Sequence, residues 1–230
     1  MDNQIVSNTG DIRQQNQGEI TTVRFVSFLD IMGFKDMVAR NEHNLILNKL
    51  TVLTDYISEE VGRNQGFHFS MFSDSILIYS DESNYAQFKT IVSITSSVVK
   101  KSISIGLPIK GAIAKGTCTA TTGEKLLYFG QPIIDAFKLE ENIVLYGAAI
   151  HNTAEKEAVD LFNEMGEKVI YDYKVILKSS SSKHYVINWY GEDQENTKSQ
   201  LTTIRNTVSD TSRRYIDNTM DAIEYLKDNS

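Results

Sequence analysis

At 230 residues, with 41% hydrophobic and 23% charged side chains, the chain is long enough to bury a core and has the make-up of a single globular domain. A net charge of -7 argues against a broad, sequence-independent grip on nucleic acid, which needs a basic surface. The single cysteine, Cys118, excludes an internal disulfide framework and a thiolate zinc cluster, and the four histidines, His43, His68, His151 and His184, lack metal-ligand spacing.

The opening segment, MDNQIVSNTGDIRQQNQGE, is polar, and 1–20 is expected to be flexible. It has neither the cationic start nor the apolar stretch of a signal peptide, and no later window reaches the length of a membrane span. The expectation is a cytoplasmic protein with no membrane contact and no stable nucleic-acid binding.

Thr22 to Leu29 is β-branched and aromatic, a strand buried on both faces. Ile46, Leu50, Leu53, Ile57 and Val61 keep helical spacing, which predicts one long helix from Phe34 to Val61. Phe67 to Phe72 and Ser75 to Tyr79 read as a hairpin with Ser73 and Asp74 at its tip. A second helix is predicted over Asp81 to Ile103, opening on capping-type residues. Pro108 introduces a strand, IKGAIAKG, and Pro132 fits the first turn of a third helix that ends near Asn142. NIVLYGAAI reads as a buried strand. A helix over Ala154 to Met165, strands near Lys168 to Ile170 and His184 to Trp189, a KSSSSK loop and a final helix over Asp210 to Leu226 follow. This order predicts an α+β sandwich in which helices cover one face of a mostly antiparallel sheet.

In such a sheet the end of the first strand and the tip of the hairpin lie side by side, so Asp30 and Asp74 meet. Two carboxylates at strand ends suit Mg²⁺ or Mn²⁺, and the carbonyl of Ile31 can add a ligand. The helix start from Ile31 to Lys35, which includes Phe34, would favour an anionic group such as a triphosphate. Each aspartate alone also suits a plain structural role, Asp30 as a helix N-cap and Asp74 as a turn residue.

FLDIMGF, the FSDSI hairpin, IKGAIAKG and GQPIIDAFKLE stand in the order found in class III nucleotidyl cyclase catalytic domains. The resemblance covers about Val23 to Ala149, and the sequence most resembles the small bacterial pyrimidine cyclases of the Pycsar anti-phage defence system. The resemblance implies a ferredoxin-like βαββαβ core over 21–175, with a C-terminal strand and helix extension over 176–230 packing on it. It implies a head-to-tail homodimer with sites at the interface, and two divalent metal ions per site, Mg²⁺ or Mn²⁺, held by Asp30, Asp74 and the Ile31 carbonyl. The implied reaction converts UTP or CTP to the 3′,5′-cyclic monophosphate plus pyrophosphate, a second messenger for a separate effector.

Other positions carry over one by one. Lys110 falls where the family usually has a triphosphate-binding arginine, and Lys138 where it has a transition-state arginine. Each also reads as an ordinary solvated lysine. Ile134 stands where the family has an asparagine. Ser70 and Leu127 occupy the base-reading positions, where neither the adenylate nor the guanylate pair is present, and Phe69, Phe72, Tyr128 and Phe129 would narrow the pocket toward a single-ring base. Phe34, Ser70, Lys110 and Leu127 are thus the expected substrate contacts, and Asp30, Asp74 and Lys138 the expected catalytic residues. An adenylate or guanylate cyclase, or an inactive nucleotide-sensing dimer, stays open beside the pyrimidine reading.

Overall fold

The structure is a computed structural model that describes residues 19–40, 43–121, 127–191, 193–205 and 210–229. Most of the expected N-terminal tail lies outside these residues. Two long strands set the frame: β1 (Glu19–Ile31) and β4 (Ile109–Thr121) pair antiparallel from Glu19 opposite Thr121 to Ile31 opposite Ile109. The hairpin β2 (Phe67–Phe72) and β3 (Ser75–Ser80) adds to β1 through β3, which gives the antiparallel order β2-β3-β1-β4 of a ferredoxin-like βαββαβ core. The short β5 (Tyr128–Gly130) folds back on β4. Beyond β4 come β6 (Gly147–Ile150), parallel to it, and then the antiparallel pair β8 (Ser181–Ile187) and β7 (Ile170–Ile176).

Side chains alternate along a strand, so β1 addresses both faces of the sheet. Phe25, Leu29 and Ile31 join the main core on one face, under α2 (His43–Arg63) and α3 (Tyr85–Ser104). There the rings of Phe25 and Phe88 lie 5.2 Å apart, and Thr95 on α3 donates to the hydroxyl of Ser27 at 2.9 Å. Val26, Phe28 and Asp30 point the other way, where α4 (Gln131–Asn142) crosses the sheet with Phe137 edge-on to Phe28. Gly116 on β4 permits this crossing, since a Cβ there would come within 3.0 Å of Pro132 Cδ. The helices therefore cover both faces, not one.

Other differences have local causes. The predicted helix from Phe34 to Val61 is two, α1 (Phe34–Ala39) and α2, because α1 buries no residue and does not share the apolar stripe that begins at Ile46. NIVLYGAAI forms a strand only at Gly147–Ile150, with a single bridge from Ile143 to Leu177 before it. The preceding Val144 and Tyr146 are held by bonds from their amides to the Ile176 carbonyl and the Thr219 hydroxyl, at 2.9 and 2.8 Å. Residues 166–168 form a 3₁₀ turn, so β7 starts later than predicted, and β8 takes in the second half of KSSSSK. The final helix, α7, spans Asp210–Asn229, and α6 (Gln194–Arg205), whose residues are mostly polar, precedes it. The last helix of the middle region, α5 (Glu155–Met165), lies where predicted. Among the described residues no helix is long and apolar enough to cross a membrane.

Candidate active site at the ends of the central strands

Register alone brings Asp30 into a crowded place: it stands between Ser75 on β3 and Lys110 on β4. The strand end is clamped from both sides. Ile31 donates its amide to the Asp74 carbonyl at 3.0 Å, and Met32 donates to the Pro108 carbonyl at 2.8 Å. The two-residue tip of the β2–β3 hairpin, with Ser73 at a left-handed φ of 57°, thus holds Asp74 beside the end of β1. Asp30 and Asp74 come together as the sequence predicts. Gly33, at φ 76°, turns the chain into α1, where Phe34 is half-buried and packs on the core.

The electrostatics are lopsided. Burial first, then the charges of Glu140 and Asp74, push the Asp30 carboxyl up to about 7, against a weaker pull from Lys110 and a long 3.5 Å bond from the Ser75 hydroxyl. Lys110 is only 5% exposed, with Nζ 2.6 Å from a carboxylate oxygen of Glu140 and 2.6 Å from its backbone carbonyl. Burial also raises the Glu140 carboxyl despite that partner. The position read as a triphosphate contact therefore holds its ammonium inside a buried ion pair. Asp30, Asp74 and Glu140 thus bring three acidic side chains together against one ammonium, that of Lys110. Such a surplus calls for a cation or a proton.

Among the described residues no three metal-type side chains form a closed cluster. A cation here would take the Asp30 and Asp74 carboxylates and a backbone oxygen, leaving its remaining positions for water or substrate. That donor set fits Mg²⁺ or Mn²⁺, hard ions that keep open positions for phosphate.

Next to Asp30 a cleft of about 190 Å³ is lined by Phe28, Ser70, Phe72, Ser75, Leu77, Tyr128 and Ile133. Ser70 lies in it as expected. Leu127 does not line it; the Leu127 amide instead donates to the Thr121 hydroxyl at 2.8 Å, and the neighbouring Tyr128 enters the cleft, its ring 5.5 Å from that of Tyr79. Phe72 is 85% exposed at the rim.

Lys138 does not join this group. It lies on the outer side of α4, where it lines a separate cleft of about 280 Å³ with Asp135, Asn142, His151 and His184. Ile134 and Phe137 on the same helix are 46% and 45% exposed. Sequence reasoning missed Glu140: a glutamate late in an amphipathic helix reads as solvent-facing. The one available signal was the lysine opposite it in a buried strand.

Neither a protein-family model nor a curated protein matches this sequence. Solved structures do. A bacterial light-regulated adenylyl cyclase superposes with a TM-score of 0.56 at 12% identity, over 84% of this chain and 60% of that one. The catalytic core of a rhodopsin-guanylyl cyclase with converted specificity, in complex with ATPalphaS, gives 0.54 at 15%, over 74% and 97% of the two chains. An unconventional dimeric form of the guanylyl cyclase domain of the RhoGC fusion protein from the aquatic fungus Blastocladiella emersonii gives 0.55 at 14%, over 74% and 98%. The fold is that of class III cyclase catalytic domains.

Proposed function

We propose that the chain is a nucleotidyl cyclase acting on a pyrimidine nucleoside triphosphate, UTP ahead of CTP, as a homodimer. The observation that carries the proposal is the Asp30–Asp74 pair, clamped at the strand ends with its surplus of negative charge. In the reaction the 3′-oxygen bonds to the α-phosphorus and loses its proton to solvent water, while the bond from that phosphorus to the bridging oxygen breaks and pyrophosphate leaves. Divalent ions held by Asp30, Asp74 and the Ile31 carbonyl would neutralise the phosphates and favour the 3′-alkoxide. The chain's own task is positioning, because both reacting groups belong to one molecule. The clamp on β1 fixes Asp30, and the Lys110–Glu140 pair ties β4 to α4 beneath it.

The adjacent cleft supports a single-ring base. Its walls are apolar apart from the hydroxyls of Ser70, Ser75 and Tyr128. Hydroxyls donate or accept, so they serve the edge of uracil or cytosine, and the preference for UTP rests on the resemblance to Pycsar cyclases. That resemblance also carries the proposed role: a cyclic nucleotide made for a separate effector in anti-phage defence. The homodimer is supported by the outward placement of Lys138, away from Asp30 of its own chain, and by exposed Phe72, Phe129, Ile134 and Phe137. A second copy would bring Lys138 to the phosphates.

Ile134 favours a second reading, a nucleotide-binding dimer without turnover, because an apolar side chain stands where the resemblance puts an asparagine. Incubation with each of the four ribonucleoside triphosphates and Mn²⁺, with products resolved by mass spectrometry, separates the two. A cyclic pyrimidine monophosphate is expected. A cyclic purine product overturns the base assignment, and no product from folded, dimeric protein establishes the second reading.

A further inference from the structure

The face of the sheet opposite the candidate active site holds a pocket that the proposed reaction does not use. It measures about 240 Å³ and lies between α3, α5 and the 3₁₀ turn at Gly166–Lys168. Val92, Leu161 and Val169 line its apolar side, with Met165 exposed at 46%. Ser93, Ser96 and Ser97 project into it from one side of α3, and Lys89 and Lys168 add two cations.

Their partners are unequally shared. Lys89 is neutralised by Glu164 at 3.0 Å, a carboxylate that also accepts from the Tyr85 hydroxyl at 2.7 Å. Asn188 is occupied as well, donating to the Glu167 carbonyl and accepting from the Gly191 amide. Among the described residues, Lys168 has no ion pair, and the hydroxyls of Ser93, Ser96 and Ser97 have no hydrogen-bond partner. Serine is a poorer helix former than alanine, and Ser96 and Ser97 are half-buried while Ser93 is exposed. Three hydroxyls on one side of α3, none engaged within the chain, beside an ammonium without an ion pair and above an apolar wall, form a recognition surface for an anionic head carried on a short apolar body.

We infer that this pocket binds a small organic oxyanion, a phosphate monoester or a carboxylate, with its head at Lys168 and the α3 hydroxyls and its body over Val92, Leu161 and Met165. The volume sets the size. It falls below the roughly 300–1,000 Å³ of clefts that take drug-sized ligands. The opposite side of the same helix packs on β1, the strand that carries Asp30 on its other face. Phe88 packs on Phe25, and Thr95 bonds to Ser27, three positions before Asp30 on β1. Occupation of the pocket would therefore bear on the strand that carries Asp30, and this regulatory part rests on the cyclase reading, whereas binding does not.

The test keeps the two apart by reading binding alone. The full chain carrying Asp30→Asn, which removes one charge from the active site, is titrated with phenyl phosphate and, separately, with benzoate, and backbone amide shifts are followed by NMR. Saturable shifts centred on Ser96, Ser97 and Lys168 with either probe are expected, and which probe gives them identifies the head group. Adding Lys168→Gln, an exposed position, is expected to weaken that probe at least tenfold, and Ser96→Ala to weaken it less. No saturable shift at these amides with either probe overturns the inference. So does undiminished affinity in the Lys168→Gln protein.

Discussion

The two ends of β1 bury charge in opposite ways. Near its start, Arg24 is 1% exposed, yet its fork donates to the Ser80 carbonyl at 2.8 Å, the Ile20 carbonyl at 3.3 Å and the Asp81 carboxylate at 3.3 Å, and it lies 5.5 Å from the centre of the Tyr79 ring. Only Nε lacks a partner. Near its end, Asp30 has one long hydrogen bond and two acidic neighbours. A structural charge is matched inside the fold, as a buried ion must be. Asp30 is left mismatched, and perturbed carboxyls in clefts are where chemistry is found.

The largest effect expected from breaking this contrast is on turnover. Asp74→Ala removes half of the oxygen pair at a hairpin tip without touching the core, so pyrophosphate release should fall at least about a thousandfold, in line with loss of a preorganised charge-stabilising group. Circular dichroism and sedimentation should be unchanged. Wild-type release would remove Asp74 from the site.

Arg24→Met acts at the other end. It leaves the Ser80 carbonyl buried without its donor, while the half-exposed Asp81 can turn to water and to His68, 2.9 Å away. A loss of about 2–3 kcal/mol of stability in urea unfolding is expected, with kcat retained by the folded protein. A loss of activity without a loss of stability would mean that Arg24 serves the chemistry and that the contrast is misplaced. Glu140→Gln sharpens the comparison more gently. Removing the largest charge acting on Asp30 should lower its carboxyl titration, followed by carbon-13 NMR, from about 7.

Much of this was legible in the chain because strand alternation and turn chemistry are local. Asp30 and Asp74 were placed by two apolar runs and a two-residue tip, and the third helix by Pro132. What the sequence hid depends on partners far along the chain. Arg24 sits in a run that reads as apolar, and its acceptors come from 56 and 57 positions later. Lys110 read as a strand-end cation until its partner, 30 positions on, came to lie against it. The strands of the β7–β8 pair were expected with other bounds, because the first residues of β8 are exposed and burial imposes no alternation on them. Leu127 and Tyr128 were both read as pocket residues, and only Tyr128 lines the cleft, because neighbours along an extended chain turn to opposite sides.

The smallest and most direct test titrates the mismatch itself. In the folded chain without added metal Asp30 ionises near pH 7, against an ordinary value of 3.8, so the unfolded chain gives up this proton first. Between those values each rise in pH therefore favours unfolding. The stability that protonated Asp30 contributes is full below about pH 4 and is lost as pH climbs through 7. Asparagine cannot ionise, so in EDTA Asp30→Asn should melt close to wild type at pH 4 and a few degrees above it at pH 7.5. Mn²⁺ should narrow that gap by stabilising wild type alone. Equal melting differences at both pH values would mean that Asp30 ionises like any surface aspartate, and its end of β1 would then be as well matched as the end that holds Arg24.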